Sequence, residues 1–340
     1  VMDKNTASTR KVALEALNEK IRSKLEALNA EPEEKGLTLG KLVEMYLAYQ
    51  KKAFKLSTYR RNYYNLKTTT QCLGADTLVS SLSAGYIKQK MDTLDLENGS
   101  YNEYITRFKA MLRWGYENDL VADIRYLDKI KKLPNDIRRE KLINKYLERE
   151  ELSALLKEMS SERWKLLTEF MVLSGLRYGE VCGLDKSDVS QTEQMIHVTK
   201  NYDYNNRVLT STKTFTSTRD VFIQPELAEV CKRIDAFFDV AGLRQSSTLF
   251  FPDFDGGYMH YYDYAKYIRE ASERAIGRKI APHILRHTHV SLLAEAGVPL
   301  ETISRRLGHS DSRVTKEVYL HVTKRLEERD RERISNTSLL

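Results

Sequence analysis

The sequence predicts a mainly α-helical protein with a small antiparallel β-sheet, arranged as an all-helical domain followed by an α+β domain. Three observations carry this. Apolar residues recur at helical spacing over most of the chain. The period changes only between Met195 and Ile223, where M-I-H-V-T, R-V-L-T-S-T-K-T and R-D-V-F-I alternate or are rich in β-branched residues. A charged, proline-containing stretch at 131–144 separates the two blocks. At 340 residues the length suits two or three domains, and a hydrophobic content of 41% is enough for real cores.

An amphipathic helix opens the chain. Leu14, Leu17, Ile21, Leu25 and Leu28 share one face, and Ser8 or Thr9 can cap it. E-P-E-E-K-G at 31–36 breaks it. Residues 37–131 then read as helix. Thr38 starts a helix with Leu42, Tyr46 and Tyr49 on one side. Ser57 opens a second, where Tyr59, Tyr63 and Leu66 make a core face and Arg60, Tyr64 and Lys67 a second stripe. Ser83 caps a short helix containing Ile87, and Ser100 caps a longer one. On that longer helix Ile105, Phe108 and Leu112 point inward, while Asn102, Thr106, Lys109 and Arg113 line another face. Basic stripes with aromatic and amide neighbours suit a nucleic-acid backbone; a plain solvated face is the alternative.

After the linker at 132–145, helix-starting acids at 148–151 precede Leu152, Leu155 and Leu156. A helix at 161–173 ends at Gly175, placing Arg177 in the following turn. Asn205-Asn206 can turn the chain between the first two strands, and Thr216 to Thr218 between the last two. Lys213 then lies near the tip of the sheet. Lys200 takes its place if the register differs. Helices at 225–240 and 261–274 follow, joined by the loop F-F-P-D-F-D-G-G-Y-M-H. Pro282 suits a helix's first turn, Gly297 its end, and Pro299 and Gly308 bracket the next helix. Asp311 or Ser312 can cap a last helix carrying Tyr319.

A net charge of +7 points to a polyanionic partner, although solubility alone can select a basic surface. Cys72, Cys182 and Cys231 are odd in number and lack C-x-x-C spacing, which argues against a disulfide framework or zinc site and for a reducing cytoplasm. The sequence has no long apolar run, so no membrane partner is expected.

The stretch 281–322 concentrates chemistry. His283, Arg286 and His287 share a helix face, with His283 in the first turn, where an anion is favoured. Arginine grips phosphate bidentately and histidine shuttles protons near neutrality. Tyrosine can serve as a covalent nucleophile. Each residue alone is better read as core or surface, in a chain with 20 tyrosines. Together they suggest metal-free attack by Tyr319 on a phosphodiester. The rival is a metal site at His283, His287 and His289. No glutamate follows His283 as H-E-x-x-H requires, and Arg286 would put positive charge on that face. No metal is predicted, and His287 and His289 are expected to pack or bond structurally.

Here the chain resembles the tyrosine recombinases, the phage-integrase family. H-I-L-R-H matches their H-x-x-R box, L-G-H-S the second histidine box and Y-L-H-V the nucleophile box. S-G-L-R-Y-G-E-V is similar to the first arginine box, and K-T-x-x-S-x-R to the lysine hairpin. Lys316 and Glu317 depart mildly from the usual residues around the nucleophile.

The resemblance implies six catalytic residues. Tyr319 attacks the scissile phosphate, leaving a 3′-phosphotyrosine and a free 5′-hydroxyl. Arg177, oriented by Glu180, and Arg286 hold the nonbridging oxygens. Lys213 protonates the leaving oxygen, His283 assists proton transfer from Tyr319, and His309 hydrogen-bonds the phosphate. No cofactor is implied, because the phosphotyrosine conserves the energy of the broken strand. Residues 37–131 become a core-site DNA-binding domain, with Arg60, Lys67, Lys109 and Arg113 as candidate contacts. Residues 146–322 become the catalytic domain. The helix at 1–36 resembles the linker after an arm-site domain that the sequence lacks.

The expected partners are double-stranded DNA at specific recombination sites, further copies of the chain as a dimer or tetramer, and an excision factor. The expected setting is the bacterial cytoplasm. The implied function is integration and excision of a conjugative transposon or prophage. A cellular chromosome-dimer recombinase and a catalytically silent DNA-binding regulator are the alternatives. The charged tail at 323–340 is expected to dock on a neighbouring protomer.

Overall fold

Side-chain hydroxyls set the first helix boundaries in the computed structural model, which describes residues 19–20, 22, 36–134, 145–211, 217–308 and 313–337. The chain divides into two compact units, 1–135 and 136–340. In the first, Thr38 accepts from the Lys41 amide at 3.3 Å and starts α1 (Leu39–Ala53). Next come α2 (Leu56–Leu73), α3 (Ala84–Asp92) and α4 (Asn98–Glu117). Ser83 caps α3 through the Tyr86 amide. Leu42, Leu66, Ile87, Ile105, Phe108 and Leu112 fill the core.

Three sequence expectations shift here. Helix α2 begins before Ser57, and α4 begins at Asn98, so Ser100 lies in its first turn and is not the cap. The buried face of α2 is Asn62, Leu66, Thr69 and Leu73. Tyr63 is exposed and Tyr59 only partly buried. A polar pair accompanies this rotation: the Asn62 side-chain amide donates to Gln50 Oε1 between α1 and α2, and both side chains are buried there. Tyr49 also stays exposed, stacked on Trp114 with centroids 5.4 Å apart.

The second unit starts with α5 (Arg149–Glu158), α6 (Glu162–Ser174) and α7 (Tyr178–Cys182). Among the described residues five short strands follow: β1 (Val189–Ser190), β2 (Met195–Val198), β3 (Lys200–Asp203), β4 (Val208–Ser211) and β5 (Arg219–Phe222). Then come α8 (Pro225–Val240), α9 (Leu243–Ser246), α10 (Tyr261–Ile276), α11 (His283–Glu295), α12 (Leu300–Leu307) and α13 (Arg313–Ser335).

The strands do not form one sheet. One sheet has the order β1-β2-β5, and β3-β4 is a separate hairpin. Asn205-Asn206 does make a turn, but it joins β3 to β4. The sequence reading paired β4 with both its neighbours. Burial explains the difference. Ile196 of β2 pairs with Val221 of β5 and both are buried, whereas Val208 and Leu209 of β4 are exposed and offer no core face.

The main core gathers Phe170, Ile234, Phe251, Tyr264, Ile268 and Leu285. A second cluster joins α11, α12 and α13 through Val290, Ala294, Ile303, Leu307, Val318 and Val322, with Tyr146 inserted from the chain before α5. Helix α13 runs unbroken past residue 322, so no structural boundary separates the expected tail from the Tyr319 helix.

Candidate active site

Gly175 ends α6 in the left-handed conformation, with φ +70°. A side chain there would be strained, and its Cβ would come within 2.5 Å of the His289 ring. The turn aims Arg177 as the N-cap residue of α7. Glu180, one turn on, accepts from the Arg177 amide at 2.9 Å and from its Nη1 at 2.6 Å. Glu180 therefore caps the helix and orients the guanidinium at once.

Arg286 enters from the first turn of α11. Its Nη1 donates to the Gly175 carbonyl and its Nη2 to the Leu307 carbonyl, both at 2.6 Å. These carbonyls lie at the C-terminal ends of α6 and α12, where the helix dipole favours a cation. Nη1 also lies 3.7 Å from Glu180 Oε2. Burial, then the charge of Arg177, lowers the Arg286 pKa to about 9, so it stays cationic at neutral pH. Arg177 and Arg286 thus converge on one carboxylate.

A third arginine was not singled out from the sequence. Arg219, at the start of β5, donates to Glu180 Oε1 at 3.2 Å and Oε2 at 2.9 Å. Burial alone would raise the Glu180 pKa. The hydrogen bonds and charge of Arg219, with Arg177 and Arg286, override it and hold the carboxyl at about 2. The only sequence signal was the arginine closing K-T-x-x-S-x-R.

Arg306 of α12 makes a neighbouring junction. It donates to His289 Nε2 at 3.2 Å, the Phe222 carbonyl at 2.8 Å and Gln224 Oε1 at 2.8 Å. His289 Nδ1 lies 2.7 Å from the Val172 carbonyl, so the imidazole is neutral, with its proton on Nδ1. Burial, then the charge of Arg306, lowers its pKa to about 3. His289 is thus structural, as expected.

His283 is exposed at the start of α11, and desolvation lowers its pKa. His287 meets it edge to face, with centroids 5.9 Å apart. Burial, then the charge of His283, Arg286 and Lys145, pushes His287 to about 4. Tyr319 lies on α13, half-buried beside the cluster that packs α13 against α11 and α12. Glu317, His321 and Arg325 recur at four-residue spacing on that helix. They meet Lys145 at 3.3 Å, the Tyr146 hydroxyl at 3.2 Å, and Glu148. Arg325 also reaches Glu295 at 2.7 Å.

The model of the phage integrase family matches residues 145–325. The chain belongs to the phage integrase family. Integrases of this family are site-specific DNA recombinases, and this chain is one. It is 29% identical over 352 residues to the probable integrase of prophage ps2 of Lactococcus lactis subsp. lactis (strain IL1403), covering 96% of this chain and 89% of that protein. It is 26% identical over 334 residues to the ICEBs1 integrase of Bacillus subtilis (strain 168), covering 93% and 87%. Among solved structures, the Tn1549 transposon integrase in complex with transposon right end DNA shares the fold, with a TM-score of 0.69 and 18% identity over 86% of this chain and 99% of that one. The lambda integrase tetramer bound to a Holliday junction shares it with a TM-score of 0.64 and 14% identity over 89% and 86%.

For this integrase, Lys213 and His309 lie outside the described residues. Lys200 is engaged elsewhere: its ammonium contacts Asp185, and Asp188 at 2.8 Å. Of the expected DNA contacts, Arg60, Lys67 and Arg113 are exposed. Lys109 differs, because its Nζ donates to the Ile130 carbonyl at 2.7 Å. Asn102, on the same face, bonds the backbone N–H and C=O of Leu133. That face of α4 therefore seats the chain's own segment. Among the described residues, no cluster of histidine, cysteine and carboxylate side chains suits a metal ion, and no helix is long and apolar enough to cross a membrane.

Proposed function

We propose that this integrase cuts and rejoins double-stranded DNA at specific recombination sites through a 3′-phosphotyrosine on Tyr319, inserting and excising a mobile element. The observation that carries the chemistry is the convergence of Arg177 and Arg286 on buried Glu180. Two oriented guanidiniums at one point match the nonbridging oxygens of a phosphodiester. The mobile-element reading rests on the prophage and ICEBs1 relatives.

Tyr319 Oη attacks the scissile phosphorus in line, forming a phosphotyrosine bond as the bond to the 5′-oxygen breaks. Arg177 and Arg286 balance the charge that grows on the nonbridging oxygens, and His309 adds a hydrogen bond. His283, neutral because its pKa is lowered, takes the tyrosine proton. Lys213 gives a proton to the departing oxygen. Attack by another 5′-hydroxyl reverses each step and joins the new strand.

Residues 37–131 would hold the core site, with Arg60, Lys67 and Arg113 on phosphates and Lys109 a lesser contributor. Dimers or tetramers of the chain would assemble on the paired sites in the bacterial cytoplasm, with an excision factor setting direction. Lambda integrase is a tetramer on a Holliday junction and a dimer on a core site.

The test is covalent trapping on a nicked duplex carrying the core site, read from the junctions of the element. Wild-type protein should form an adduct, whereas Tyr319→Phe should bind the duplex equally and form none. An adduct with Tyr319→Phe would refute the nucleophile, and no adduct with wild type would refute the phosphotyrosine reading.

A further inference from the structure

Arg219 is as deeply set as Arg286, yet its fork is already taken. Its side chain is 6% exposed. Four of its five N–H groups are used within the protein. Two meet Glu180, one meets the Arg306 carbonyl at 2.7 Å, and one meets the Ser217 carbonyl at 3.0 Å. So occupied, it is not placed to clamp a phosphate.

Its neighbours are the ones catalysis needs. Ser217 comes four residues after Lys213, and Arg306 three residues before His309. Glu180 is the shared anchor of Arg177 and Arg286. One side chain therefore ties the root of the Lys213 segment and the end of α12 to the arginine pair.

Charge gives the second argument. Glu180 is ionised, and Arg219 shares it with Arg177 and Arg286. Without Arg219, the carboxylate would cancel one of the two phosphate-facing cations. In this buried setting the difference is weakly screened.

We propose that Arg219 is a positioning residue that takes up the charge of Glu180, so that Arg177 and Arg286 spend less of theirs on it and present more to the scissile phosphate. This inference rests on the phosphotyrosine reading above. Arg219 touches no reacting atom; it acts through Glu180 and through the two backbone carbonyls it holds.

The test compares two nicked duplexes that differ only at the scissile group, a phosphodiester or a methylphosphonate. The methylphosphonate replaces one charged nonbridging oxygen by a neutral methyl, so its transition state carries one negative charge fewer. Single-turnover adduct formation is measured, with thermal melting run alongside. Arg219→Gln should slow the phosphodiester roughly 10²-fold, the scale of a misplaced catalytic group, but slow the methylphosphonate only a few-fold. Arg219→Lys keeps the charge and loses the planar fork. It should slow both substrates while keeping their rate ratio near wild type.

Equal slowing of both substrates by Arg219→Gln would reduce Arg219 to a structural brace and overturn the proposal, as would wild-type rates. If Arg219→Gln melts below the assay temperature, Arg219→Lys decides: an unchanged ratio with slower rates supports the proposal, and a collapsed ratio overturns it. Wild-type protein that traps neither duplex would overturn the phosphotyrosine reading, and this inference with it.

Discussion

Arg286 Nη1 donates to the Gly175 carbonyl at 2.6 Å, across the left-handed turn that closes α6. The turn and Arg286 therefore depend on each other. Gly175→Ala would combine a strained φ with overlap at His289 and Leu307. It should cost about 2–4 kcal/mol of stability, and cleavage should fall more than DNA binding. Urea unfolding measures the first; a stability change under about 0.5 kcal/mol would contradict the argument.

Arg177→Lys and Arg286→Lys keep a charge but lose the fork. For Arg286, one ammonium cannot reproduce both bonds to Gly175 and Leu307 in their planar geometry. Either change should lower adduct formation by about 10²–10³-fold with core-site affinity little altered. Paired single-turnover and gel-shift measurements check this, and near-wild-type cleavage would remove that arginine from the clamp.

Lys213→Ala should be rescued by a 5′-bridging phosphorothiolate, because sulfur leaves without needing a proton. Lys200→Ala should need no rescue, since Asp185 and Asp188 already hold that ammonium. If Lys200→Ala were the variant that sulfur restores, the acid would be Lys200.

Acid should weaken the fold through its buried histidines. His289 has a folded pKa of about 3, far below the roughly 6.5 of an unfolded chain. The unfolded state therefore binds the extra proton. Stability is full above pH 6.5 and falls as pH drops from there toward 3, by at most about 1.4 kcal/mol per pH unit for one proton. His287 adds the same trend between about 6.5 and 4. Glu180 contributes only lower down, losing its stabilisation as pH falls from the usual glutamate range toward about 2. His289→Gln should flatten the decline between pH 7 and 5. Urea midpoints at the two pH values test this, and a slope equal to wild type would mean that His289 is not the titrating group.

The helices around the site were legible because their ends are written in single residues. Pro282, Pro299 and Gly308 mark the boundaries of α11 and α12 directly, and Gly175 marks the end of α6. Strand partners were not. Strands of four residues carry too little pattern to choose between neighbours, and burial of Ile196 against Val221 made the choice. The Tyr59 and Tyr63 face was misread because hydrophobic periodicity cannot foresee a buried amide pair such as Gln50 and Asn62. Arg177, Arg286 and Glu180 could be picked out by motif; Arg219 closes one too, but its importance lies in a partner 39 positions away in sequence. Lys109 has the same lesson in reverse: a basic residue on an apparent DNA face is held by its own chain.

Helix α13 is one uninterrupted rod of 23 residues, roughly 34 Å long at about 1.5 Å per residue. Tyr319 sits near its first third. The rungs at Glu317, His321 and Arg325 fasten this rod to Lys145, Tyr146 and Glu148, the first described residues after the linker. The chain leading into α5 is therefore fastened to the helix of Tyr319 at three successive turns. The entry to this unit and its proposed nucleophile thus share one anchorage.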